Sequence, residues 1–172
     1  MLKLLGAVMI FGSCAALGLS ARQALRRRVA AADALLLAMQ LIESEIAGRR
    51  ATLPEIIGEL AENDNSSVRL VFASLQRRLR EQNGLSLGYL WRFNLRECAA
   101  EIGLGESECN ILCEAANYLG RYDANEQLAG LRQVSRRLSA AREQAAGELA
   151  NKGNLYRTCG IATGILVVLV LI

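Results

Sequence analysis

The sequence predicts an all-α protein: a bundle of about six helices set between an N-terminal and a C-terminal transmembrane helix. Three observations carry that reading. Both ends are apolar while the middle is charged, since all 17 acidic residues and 19 of the 20 basic ones lie within residues 22–157. Apolar residues of the middle recur every three or four positions, the helical period, and no stretch alternates with period two for long enough to make a strand. Aromatics are only 5% of the chain and proline occurs once, whereas Ala, Leu, Arg, Glu and Gln are plentiful, a balance that favours helix over sheet. The 172 residues therefore divide into a first span at 1–21, a helical domain at 22–157 and a second span at 158–172.

Positions 4–21 are eighteen uncharged residues, enough for one helix to cross a bilayer core. "ARQALRRR" follows and places Arg22, Arg26, Arg27 and Arg28 directly behind the apolar run. Basic flanks stay cytoplasmic, which argues for a retained anchor over two alternatives. One is a signal peptide cleaved near Gly18-Leu19-Ser20; the other is a lipoprotein signal at "FGSC", where Phe11 stands in place of the usual Leu. Beyond Arg22 the stripe Leu25, Val29, Ala32, Leu36, Met39, Ile42 and Ile46 continues the same helix to about Gly48.

"TLPE" opens the second helix, with Thr52 as N-cap, Pro54 in the first turn and Glu55 closing a capping box. Ser66 or Ser67 starts a third, carrying Leu70, Val71, Leu75 and Leu79 until Asn83-Gly84 ends it. Ser86 begins a fourth through Leu87, Leu90, Trp91 and Leu95 to Gly103. A fifth runs from about Glu106 to Leu119, with Glu106 and Glu108 beside its positive N-terminus and Gly120 at its C-cap. Asp123 and Glu126 form a second capping-box pattern, from which Leu128, Leu131, Val134, Leu138, Ala141, Ala145 and Leu149 lead straight into the last span.

That span, 158–172, is fifteen uncharged residues, about 22 Å as a helix and short of the usual ~30 Å core. Leu155 and Tyr156 extend it, and Arg157 can snorkel. Lys152 and Arg157 form its basic flank, so both flanks place the helical domain in the cytoplasm and both termini outside. Gly160 and Gly164 make a G-x-x-x-G, and Gly12 and Ala16 on the first span are a small-residue counterpart. Such faces suit either an intramolecular hairpin of the two spans or contact between copies of the chain.

Nothing in the pattern offers catalysis a foothold. Histidine is absent, which removes the commonest general base and metal ligand. Cys98, Cys109 and Cys113 lack a fourth thiol or an imidazole to complete a metal site and read as buried structural cysteines. Cys14 and Cys159 lie in or beside the spans, as packing residues or acylation targets. Glu43 and Glu45 point to opposite sides of their helix, so they are no acid–base pair. No cofactor is implied. The helical domain carries a net charge of only +2, and its arginines are interleaved with glutamates, so nucleic acid is not the expected partner. Arg77, Arg78 and Arg80 on the third helix, and Glu43 and Glu45 near the turn before Pro54, are the candidate partner-docking clusters.

The order of an amino-terminal span, "ALRRRV", "QLIESEIAGRRATLPEII", a central Trp91, "YLGRYDANEQ" and "NLYRTCGIATGILVVLVLI" resembles the stage III sporulation protein AB family over essentially the whole chain. In that family an aromatic–Gly pair often stands where Ala47-Gly48 does here, and Ser-Asp is more usual than "RYD". The resemblance implies a component of the channel complex between mother cell and forespore. It implies a cytoplasmic part similar to the helical domain of type II secretion inner-membrane platform proteins, with a cytoplasmic secretion-type ATPase and other channel membrane proteins as partners. On that reading the chain is a non-enzymatic platform in the bilayer; the rival reading is a membrane-bound regulator or sensor signalling through its juxtamembrane helices.

Overall fold

The computed structural model describes residues 2–48, 52–81, 84–120 and 124–171; at the outer ends of the first and last helices it describes the helix without most side chains. The described residues form six α-helices and one short 3-10 turn, with no strand among them: α1 (Leu2–Gly48), α2 (Leu53–Ala61), α3 (Ser66–Glu81), α4 (Leu87–Ile102), α5 (Glu106–Glu114) and α6 (Ala124–Leu171), the 3-10 turn being Ala115–Asn117. The all-α class, the helix number and the ends of α4 are as the sequence predicts. Among the described residues no helix is long and apolar enough to cross a membrane. The expected spans fall largely on side chains outside the described residues, as do Gly12, Arg157, Gly160, Gly164 and Asp123; Ala16 is described and is exposed.

By packing, the chain makes two compact units: Arg28–Glu143, and Met1–Arg27 together with Gln144–Ile172. The first unit holds the hydrophobic core. In it α2 packs on α3, α3 on α4, and α4 on α5 and the 3-10 turn, while α1 supplies Ala31, Leu35, Ala38 and Ile42 and α6 supplies Leu131, Val134 and Leu138. Trp91 on α4 is the largest fully buried side chain. Its ring lies 5.6 Å from that of Phe72 at 50°, and its indole Nε1–H donates to the Leu112 carbonyl at 2.7 Å, so the polar tip of a buried aromatic has a partner.

Of the expected α1 stripe, Ala32, Met39 and Ile42 are buried in the core, and the one exchange is Leu35 for Leu36. Leu35 is 1% exposed, whereas Leu36 is only partly buried against the core. Alanines at 31, 32, 34 and 38 are buried around it, and a face of small residues leaves the choice among three successive leucines to the packing of neighbours rather than to spacing.

Local caps set the ends. Glu55 Oε2 accepts from the Thr52 amide at 2.9 Å, giving α2 the reciprocal carboxylate expected of it. The third helix starts at Ser66, as expected, and Asn65 caps it: its Oδ1 accepts from the amides of Ser67 at 3.0 Å and Val68 at 3.3 Å. Ser86 Oγ accepts from the Tyr89 amide at 3.3 Å. Gly103 takes a φ of 74°, which lets the Leu104 amide return to the Ala99 carbonyl at 2.9 Å and close α4. The fifth helix stops five residues before Leu119, for a physical reason. Trp91 takes the Leu112 carbonyl and Arg92 Nε donates to the Cys113 carbonyl at 3.4 Å, while Arg92 also grips the Asn117 side chain. These pulls from α4 tighten the last turn into 3-10 geometry.

Candidate functional site

The most developed surface of the bundle is the hairpin of α3 and α4. Asn94, wholly buried, anchors it: its Nδ2 donates to the Val71 carbonyl at 2.8 Å, and its Oδ1 accepts from Arg78 Nε at 3.3 Å. A buried amide with both ends satisfied fixes the two helices in register. Arg78 is held further by an ion pair to Glu97, and its guanidinium stands 4.8 Å from the centroid of the Phe93 ring, within cation–π range. Tyr89 and Phe93, one turn apart on α4, stack with centroids 6.4 Å apart and planes 8° apart. They remain 56% and 44% exposed.

Beside this stack runs an open groove of about 420 Å³ between the helices, lined by Leu70, Ser74, Arg77, Arg78, Glu97 and Glu101 among others. Cys98 closes its floor, where burial is the main cause that pushes its thiol above the ordinary 9.0. The structure therefore brings Arg77 and Arg78 of the expected arginine cluster to one groove. Arg80 is exposed but does not line it.

The acidic cluster stands elsewhere. Glu43 accepts from the Ser135 hydroxyl on α6, and Glu45 is half-buried near the end of α1. About three turns earlier on α1, Asp33 is bound by Arg142 in a two-toothed pair at 2.6 and 3.0 Å, an arrangement that raises the Arg142 pKa through its hydrogen bond to Asp33 first. Of the basic flank, Arg26 and Arg27 are exposed. Arg28 is not committed to solvent alone: its Nε and Nη2 contact Glu108 Oε1 at 3.0 and 2.9 Å. The Glu108 side chain is fully buried, and its second oxygen has no hydrogen-bond partner. A Cβ at Gly105 would run into both groups, so glycine there makes room for the pair.

Sequence reasoning missed the Arg28–Glu108 pair and the aromatic stack. Glu108 reads as an ordinary helix-start acid, and nothing in spacing distinguishes a buried one. The stack is legible in principle, since Tyr89 and Phe93 are an i, i+4 aromatic pair, whereas the apolar stripe of this helix takes only Leu90 and Trp91 from "YLWRF". Cys109 and Cys113 are buried free thiols, as expected. Burial first, then the neighbouring Cys113, pushes Cys109 up to about 11, far from the thiolate that nucleophilic or metal chemistry requires. Among the described residues no three His, Cys, Asp or Glu side chains gather as a metal site.

The described residues define an all-α helical bundle with an aromatic pair on its outer face. The sequence profile of stage III sporulation protein AB matches residues 3–172, and the chain belongs to that family. A solved structure of stage III sporulation protein AB shares the fold, with a TM-score of 0.65 at 21% identity over 72% of this chain and 96% of that one. Among curated proteins no sequence matches this chain significantly.

Proposed function

We propose that the chain is a non-enzymatic, membrane-anchored platform of the sporulation channel complex between mother cell and forespore. The observation that carries this reading is the family match, which runs through both apolar ends as well as the bundle. Residues 1–21 and 158–172 are the anchors, the helical domain faces the mother-cell cytoplasm, and both termini lie outside. The uncharged stretches and their basic flanks at Arg22, Arg26, Arg27, Lys152 and Arg157 support this topology. Family membership supports a cytoplasmic secretion-type ATPase as the partner that docks on the bundle.

Flotation of membranes from sporulating cells, with cysteine labelling at residues 1 and 172, tests the anchoring. The chain is expected in the membrane fraction, with both positions labelled by an impermeant reagent from outside. A chain in the soluble fraction, or either end labelled only from the cytoplasm, defeats the reading. Capture of the purified ATPase by the full chain, intact and with Arg77 and Arg80 or Glu43 and Glu45 reversed in charge, tests the docking. One reversal is expected to weaken capture about tenfold or more, and equal capture by both variants would exclude these clusters.

A further inference from the structure

We infer that the outer face of the α3–α4 hairpin is a docking surface for an acidic, apolar-ridged segment of a partner protein. The inference deepens the platform reading and rests on it. The first observation is the stack itself. Among the described residues Tyr89 and Phe93 stand exposed on the surface with their rings parallel, while Phe72 and Trp91 are buried. Tyr89, Phe93, Arg96 and Ala100 follow one another at i, i+4, i+7 and i+11, so they form a single stripe along the solvent side of α4. Arg78 closes its edge from α3. Rigid aromatics with arginine beside them are the residues that carry most binding energy in protein interfaces.

Charge identifies the occupant. Residues 66–102 hold six arginines and three glutamates, a surplus of three, and that equals the surplus of the whole chain. On the face itself Arg77, Arg78 and Arg96 stand against Glu97 and Glu101, which leaves it net positive. Glu97 already neutralises Arg78. Arg77 and Arg96 are exposed and have no ion-pair partner among the described residues. A groove of about 420 Å³ with apolar Leu70 and Ala73 on its wall lies beside the aromatic stripe. An apolar ridge can fill such a groove while flanking carboxylates meet the two free guanidinia bidentately.

Photo-crosslinking in sporulating cells tests this. p-Benzoylphenylalanine is placed at position 89 of the full-length chain, and at position 110 on exposed Asn110 of α5 as a reference. The crosslinked peptide is then mapped by mass spectrometry. The expected product at position 89 is one protein segment of net negative charge with leucine-type residues at helical spacing. Arg77→Glu with Arg96→Glu, and separately Phe93→Ala, should lower its yield about tenfold while the melting temperature stays within a few degrees. Absence of a product, a product with lipid, nucleic acid or a second copy of this chain, a neutral or basic segment, or a yield indifferent to the variants would each overturn the inference. Flotation of the same cells decides the anchoring independently: a chain that floats and crosslinks from position 110 but not from 89 leaves the platform reading standing and removes only this face.

Discussion

At Arg28 the guanidinium leaves the run of three arginines and reaches a carboxylate that water does not touch. Burying a charge is costly unless a partner compensates it, and removing one partner strands the other. Arg28 keeps 27% of its side chain exposed, so the loss is smaller than for a fully enclosed pair. Arg28→Ala is expected to cost about 2–3 kcal/mol in urea unfolding. Glu108→Gln, which keeps the shape and an acceptor, should cost about half as much; an Arg28→Ala variant as stable as the parent would mean that the pair contributes nothing. Trp91 makes a second residue-scale case. Trp91→Phe keeps most of the burial but deletes the donor to Leu112, and should lose about 1–2 kcal/mol through the unmet carbonyl and the smaller ring. Its near-UV circular dichroism should flatten, and the 3-10 turn at Ala115–Asn117 should exchange its amides faster.

The helices themselves test which caps matter. Asn65→Ala removes the acceptor for two amides at the start of α3 and should destabilise the bundle by about 1 kcal/mol. Ser66→Ala, one position on, should change it by under about 0.5 kcal/mol. At α2, hydrogen bonds from the Thr52 backbone, then its side chain, hold the Glu55 carboxyl below its ordinary 4.5. A lowered folded-state pKa means stability that is present above 4.5 and lost as pH falls through the folded value. The melting-temperature gap between parent and Glu55→Gln should therefore narrow as pH drops below 4.5; a gap constant from neutral to strongly acid pH would contradict the assignment. The element scale is also where the sequence reads best. Starts at Ser86 and Thr52 and the stop at Gly103 follow from residue chemistry that acts within four positions. The choice of Leu35 over Leu36 and the early end of α5 depend on side chains from distant helices, which local spacing does not encode. The candidate site divides the same way: the arginine pair at 77 and 78 was visible as a run, whereas its assembly with Phe93, Asn94 and Glu97 needed two helices to meet.

For the molecule as a whole, every member of the main core cluster lies within Arg28–Glu143. A fragment of residues 22–157 should accordingly be helical by circular dichroism and melt in one cooperative transition; a broad, sloping melt would show that the core needs the apolar ends. The buried thiols carry a consequence for how openings of that core become visible. With Cys109 pushed up to about 11, only about one thiol in ten thousand is ionised at pH 7, and Cys98, Cys109 and Cys113 are each 7% exposed. Alkylation or disulfide exchange at these sulfurs must wait for the helices to part. With Cys14 and Cys159 changed to serine, thiol uptake becomes a clock of the bundle's breathing. Three sulfurs reacting at one shared rate would mean that the bundle opens as a unit. A faster Cys98 would mean that α3 and α4 separate first.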